Sequence, residues 1–195
     1  LPGGKDHHRP FSIPQTRDIH GVLARTKVSM KFLPAENQTA KNWLRQQGWQ
    51  EGELFVCLLV RDSAYTEFDP QFVLDKEYGS WKYHSYRNSD IATYVSAMEW
   101  LADQGVWVLR MGKKMEKPIP SQHKRIIDYT FNPERSDFLD IWLFAHCYLC
   151  ISTGSGPDII SHVYRRPILF LNHIPLGEFR SWSNSIHTPK ILVWE

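Results

Sequence analysis

The stretch Ser152-Thr153-Gly154-Ser155-Gly156 gathers small residues around two glycines and runs into Pro157. Glycines let backbone N–H groups approach a ligand closely, proline is tolerated in the first turn of a helix, and a helix amino end favours an anion. Such a turn suits a phosphate or a sugar. It would serve equally as a tight strand-to-helix connection that binds nothing. Arg61 and Arg110 each follow an apolar run. A guanidinium at that place can fork onto a diphosphate, or pair with a carboxylate such as Asp62 or Asp128. His84 and Arg87 form a further basic pair just before a helix, open to either a ligand or a loop contact. Lys113-Lys114 reads as a solvated face.

Other chemistries fail on spacing. A nucleophile elbow needs glycines two residues either side of its serine, but Ser155 has Thr153 and Pro157 there. Gly112-Lys113 is followed by Lys114 and lacks the earlier glycine of a phosphate-binding Walker loop, and no Gly-x-Gly-x-x-Gly follows a strand. Cys147-x-x-Cys150 has the spacing of half a zinc site, but no second pair exists, so all three cysteines are expected as buried, reduced thiols. Asp6-His7-His8 has no supporting Asp/His cluster and reads as solvated loop. With 23 basic and 21 acidic residues, the net charge of +2 is too small to imply a nucleic acid or an anionic membrane as a partner. No apolar run reaches the roughly 18–20 residues that span a bilayer. The start lacks the apolar core of a signal peptide, which with reduced thiols fits a cytoplasmic location. The beginning, without Met, and the end, Ile191-Leu192-Val193-Trp194-Glu195, suggest a fragment at both ends.

The elements that must position these residues alternate. Up to about residue 50 the chain is polar and irregular with one helix, Glu36–Gln47, and is expected to be a linker or a remnant of a missing domain. Leu54–Val60 is a continuous apolar run, the pattern of a strand buried on both faces. Ser89 or Asp90 caps a helix reaching Asp103, and Val106–Leu109 and Arg125–Tyr129 are the next strands. Ser136 caps a helix from Asp137 to His146. Strand Tyr148–Ser152, helix Asp158–Tyr164 and strand Pro167–Leu171 follow, with a last strand at Ile191–Trp194. This alternation implies an α/β fold, a doubly wound parallel sheet with helices on both faces, over residues 51–195. Ligands of such sheets bind beyond the carboxyl ends of the strands, where Arg61-Asp62, Arg110, Asp128, Ser152–Gly156 and Asn172-His173 all fall.

Several segments in this order resemble a family of bacterial glycosyltransferases of surface-polysaccharide synthesis. They are Val60-Arg61-Asp62, His84-Ser85-Tyr86-Arg87-Asn88, Val108–Gly112, Ile127-Asp128-Tyr129, Ser136–Asp140, Ser152–Gly156 and the stretch Asn172…Pro175-Leu176. The resemblance runs from about Phe55 to Lys190. It implies the Rossmann-like carboxyl-terminal domain of a GT-B glycosyltransferase, which binds a nucleotide sugar and transfers the sugar to a glycan or lipid-linked acceptor. The acceptor domain, with any peripheral membrane contact, would lie in the missing part. Donor-phosphate contacts are then expected from Arg61, Arg87, Arg110, Ser152, Thr153, Gly154, Ser155 and Gly156. With no Asp-x-Asp motif, neither metal nor other cofactor is expected. His84, Asp62 and Asp137 are the candidates for the base that deprotonates the acceptor. More distantly, Arg61 and the Ser/Gly turn resemble the phosphate-binding elements of fucosyltransferases, although Val60 and Asp62 replace the basic neighbour usual there. A non-catalytic nucleotide- or glycan-binding module, and an epimerase or hydrolase of activated sugars, remain alternatives.

Overall fold

The structure, a computed structural model, describes residues 18, 20–68, 81–174, 179–191 and 193. Asp6-His7-His8 and Pro175-Leu176 lie outside them. Helices α1 (Val22–Arg25) and α2 (Pro34–Gln46) precede strand β1 (Phe55–Leu59) and the short helix α3 (Ala64–Phe68). A 3₁₀ turn, Trp81–Arg87, leads through a second one, Ile91–Tyr94, into α4 (Val95–Asp103). Then come β2 (Trp107–Arg110), β3 (Ile126–Ile127), α5 (Asp137–His146), β4 (Leu149–Ser152), α6 (Ile159–Val163), β5 (Ile168–His173) and β6 (Ser185–Pro189).

All six strands are parallel, in the order β3-β2-β1-β4-β5-β6. This is the order of a doubly wound sheet, which reverses direction between β1 and β4. Two-residue periodicity sorts β1 onto two layers. Phe55, Cys57 and Leu59 face a core built with Trp43 and Leu44 of α2 and Leu139, Trp142 and Leu143 of α5. Val56, Leu58 and Val60 face a second core with Ile91, Tyr94 and Met98 of the α4 layer. Both faces are therefore covered, as the continuous apolar runs require.

Local signals set the helix starts. The side chain of Asp90 accepts from the Ala92 N–H (2.9 Å) and that of Ser136 from the Leu139 N–H (3.2 Å), each supplying a partner for an orphan donor. Helix α2 begins two residues before the expected Glu36, with Pro34 in its first turn and Glu36 accepting from the Leu33 N–H at 2.7 Å. It belongs to the packed unit: Trp142 Nε1 donates to Asn37 Oδ1 at 2.9 Å, and Trp43 meets Tyr129 edge-on at 5.2 Å. Cys57, Cys147 and Cys150 are buried free thiols.

The last strand among the described residues is not where apolarity placed it, although Leu192 and Trp194 of the expected strand lie outside those residues. Ile191 and Val193 are 86% and 82% exposed and lie outside any strand, while the polar segment Ser185–Pro189 pairs with β5. Polar side chains hold this edge, with the Thr188 hydroxyl donating to the Phe170 carbonyl at 2.8 Å. In β5 the register shifts between Leu171 and His173, where Asn172 adopts φ +53°. Asparagine accepts that left-handed conformation more readily than most residues. The bulge sends Asn172 Nδ2 to the Tyr94 hydroxyl (2.9 Å), while His173 lies beside Phe170 with ring centroids 4.7 Å apart.

Candidate functional site

The carboxyl ends of β1, β4, β5 and β6 surround a cavity of about 240 Å³. Its wall contains Arg61, Arg87 and Arg180, the turn Gly154–Gly156, Asp158, and His162, His173 and His187. Arg61 follows β1 and is fastened on two sides: its N–H donates to Thr153 Oγ1 (2.9 Å) and its Nε to Asn88 Oδ1 (3.3 Å). Burial, and then the like charge of Arg87, lower the proton affinity of Arg61. Arg87 reaches across from the 3₁₀ turn to donate to the Gly154 carbonyl at 3.3 Å. Arg87 Nε is buried with no hydrogen-bond partner among the described residues. An unsatisfied guanidinium nitrogen in a basic cavity invites an acceptor.

The β4–α6 turn is shaped by Asp158. Its Oδ2 accepts from the Ser152 hydroxyl (2.8 Å) and the Ser155 N–H (2.9 Å), while Ser152 Oγ accepts from the Gly154 N–H (3.0 Å). Burial raises the Asp158 pKa above the usual carboxylate range, against these bonds and the pull of Arg180 and Arg87. Gly154 has φ +84°, and a Cβ there would lie 2.7 Å from His173 Cδ2. Gly156 has open space around it. Helix α6 is only five residues long, after a 3₁₀ turn at Gly156–Asp158, so its dipole is a small contribution beside the arginines.

A second cavity, of about 450 Å³, shares Arg61, Ser155 and Gly156 with the first. Its wall is more apolar, with Leu59, Met115, Phe144 and Pro157, and carries the carboxylates Asp62, Asp137 and Asp140. Asp62 is fixed by the Ala64 N–H (3.1 Å) and the Glu116 N–H (3.0 Å), and burial raises its pKa. Asp140 is paired with Arg135. Asp137, in the first turn of α5, has an 86% exposed side chain with Arg135 at 3.9 Å.

The sequence candidates thus separate. Arg61, Arg87, Gly154, Ser155 and Gly156 come together on the basic cavity, and Asp62 and Asp137 on its neighbour. Ser152 and Thr153 are buried behind the turn, where their hydroxyls brace Asp158 and Arg61. Arg110 lines neither cavity. It is 1% exposed, donates to the Lys117 carbonyl at 2.7 Å, and stands between Asp128 (3.5 Å) and Asp62 (3.7 Å). The carboxylate-pairing alternative accounts for it, tying together the loops that leave β1, β2 and β3. His84 also lines neither cavity; its ring lies 6.3 Å from that of Tyr86. Sequence reasoning missed Arg180, His162 and His187, and gave His173 no role beyond its place at a strand end. Among the described residues, no helix is long and apolar enough to cross a membrane.

No family model matches the sequence, and no curated protein matches it. Solved structures do share the architecture. A glycosyl transferase of family 9 from Veillonella parvula is 12% identical with a TM-score of 0.54, the match covering 82% of this chain and 42% of that one. The ADP-heptose LPS heptosyltransferase II of E. coli is 14% identical with a TM-score of 0.55, covering 82% of this chain and 44% of that one. This chain spans less than half the length of either. At these identities the likeness is one of fold alone: the chain has a Rossmann-like α/β architecture that it shares with part of each of these two proteins.

Proposed function

We propose that residues 51–195 form the donor-binding domain of a glycosyltransferase, which moves a sugar from a nucleoside-diphosphate donor to a glycan or lipid-linked acceptor. The observation that carries this reading is the convergence of Arg61, Arg87 and Arg180 with the Gly154–Gly156 turn at the carboxyl edge of the sheet. The fold shared with glycosyltransferases supports it. In this reading the diphosphate lies in the basic cavity against Arg61, Ser155 and Gly156, and the reacting sugar reaches the larger cavity across that shared wall.

The acceptor oxygen bonds to the anomeric carbon as the carbon–oxygen bond to the diphosphate breaks. The leaving diphosphate keeps the electron pair, and the three guanidinium groups offset its growing charge without a metal ion. The acceptor's proton passes to a carboxylate. Asp137 suits that role better than Asp62, whose two oxygens already accept backbone N–H groups. Melting the protein against millimolar ADP, GDP, UDP and CDP and their sugars, with and without EDTA, tests the reading. At least one diphosphate should raise the melting temperature in both conditions, and the full-length protein should then transfer from that donor. Absence of any shift overturns the reading; binding without transfer by the full-length protein favours a non-catalytic module.

A further inference from the structure

Part of the wall of the basic cavity is made of histidines that no sequence motif marks. His162 of α6, His173 at the end of β5 and His187 of β6 surround the ring of Phe170, at centroid distances of 5.7, 4.7 and 4.7 Å. His173 Nδ1 and His187 Nδ1 are 3.4 Å apart. Ser183 Oγ lies 2.6 Å from His162 Nδ1, and Ser185 Oγ lies 2.9 Å from His187 Nε2. The other ring nitrogen of His162, Nε2, is buried without a hydrogen-bond partner among the described residues, in a residue only 2% exposed that lines the cavity.

The charges facing this cluster come from every neighbouring element. Arg61 follows β1, Arg87 ends the 3₁₀ turn, Arg165 follows α6 and Arg180 precedes β6. Asp158 is the one carboxylate among the cavity's described lining, and two donors already occupy its Oδ2. Burial first, and then these cations, keep the imidazoles neutral, lowering His162 to about 3 and His173 to about 4, and lowering His187 as well. An oxyanion in the cavity offsets that field. It also supplies an acceptor for His162 Nε2, which has no hydrogen-bond partner among the described residues. The contact between His173 and His187 limits the response, because protonating both rings would set two N–H groups against each other. The pair can gain one proton and His162 one more.

Resting on the donor reading above, we propose that the cavity takes up its doubly charged diphosphate together with one to two protons held by the His162–His173–His187 cluster. The histidines then add positive charge and N–H donors beside the three arginines, and the donor binds more tightly as the pH falls.

Calorimetry of the whole chain with UDP-glucose, GDP-mannose and ADP-glucose tests this, because their diphosphates carry no proton that titrates between about pH 5 and 8. Repeating the titration in buffers of different ionisation enthalpy counts the protons. Net uptake, with affinity weakening about tenfold per pH unit for each proton taken up, is the expected result. His187→Gln should still bind, with smaller uptake and a flatter pH profile. Should that variant fail to fold, the imidazole NMR resonances of the unsubstituted protein keep the test open: with ligand or with sulfate, at least one histidine should titrate at higher pH. Binding without proton uptake or any histidine shift overturns this inference and leaves the donor reading intact. No binding of any nucleotide sugar at any pH overturns both.

Discussion

Replacing Gly154 with alanine separates this turn from an ordinary loop, because the two neighbouring glycines of the site forecast opposite outcomes. Gly154 holds φ +84°, where a residue with a Cβ is strained by roughly 1–2 kcal/mol. The added methyl would also stand 2.7 Å from His173 Cδ2 and 3.2 Å from Nε2. That ring is only 4% exposed, so it can yield only by leaving its rotamer, at about 0.5–1.5 kcal/mol. Lower entropy of the unfolded chain returns about 0.4–1 kcal/mol. The net loss for Gly154→Ala is therefore about 1–3 kcal/mol. Gly156 has no left-handed φ, and a methyl added there would meet no atom within 4 Å, so Gly156→Ala should gain about 0.4–1 kcal/mol. Urea unfolding followed by far-UV dichroism measures both, the midpoint moving down for Gly154→Ala and up for Gly156→Ala at constant slope. Equal shifts, or a stabilised Gly154→Ala, would refute the packing of His173 on the turn.

Three further outcomes follow from named contacts. Arg61→Ala should weaken nucleoside-diphosphate binding by about 1.5–3 kcal/mol, the scale of a charged hydrogen bond, while the free nucleoside binds nearly as before by calorimetry. Arg110→Ala should instead destabilise the fold by about 3–5 kcal/mol in denaturant titration, because it leaves Asp62 and Asp128 without their buried partner. Stability without ligand should fall as the pH drops from the usual histidine value of 6.5 towards 4. Over that range the unfolded chain binds protons that native His162 and His173, lowered to about 3 and 4, refuse. A melting temperature flat over that range, or equal slopes in His162→Gln and the unsubstituted protein, would count against the buried neutral cluster.

The sheet was legible wherever residues are buried on both faces. β1 and β4 needed only their apolar runs, α5 announced itself through Ser136, and Asp90 marked the 3₁₀ turn that leads into α4. Half of the basic cavity was legible for the same reason, since Arg61 and the Ser/Gly turn directly follow those runs. The other half was not. β6 is an edge strand whose segment Ser-Ile-His-Thr-Pro carries little apolar signal, and the apolar Ile191 and Val193 drew the expectation past it. His162, Arg180 and His187 are spread over separate segments of the chain, brought together by the pairing of β5 with β6 and the packing of His162 on Phe170. Arg110 was ambiguous because a strand-end arginine looks the same whether it meets a phosphate or two carboxylates. Its burial beside Asp62 and Asp128 is a matter of depth that the sequence does not show.

Asn172 bears on how the site keeps its registration. β6 has so few apolar residues that hydrophobic burial alone would do little to prevent it from slipping one place along β5. Such a slip would exchange His187 for Ile186 or Thr188, turning the imidazole away from the cavity while leaving the main core untouched. The bulge makes that slip unfavourable, since a strand with one extra residue fits its neighbour in a single alignment. The bond from Asn172 to Tyr94 fastens the bulge to the helical layer, and the bond from Thr188 to the Phe170 carbonyl marks the matching position on β6. Alignment of the basic cavity is thus held by two polar contacts at the margin of the sheet, apart from the packing that holds the domain together.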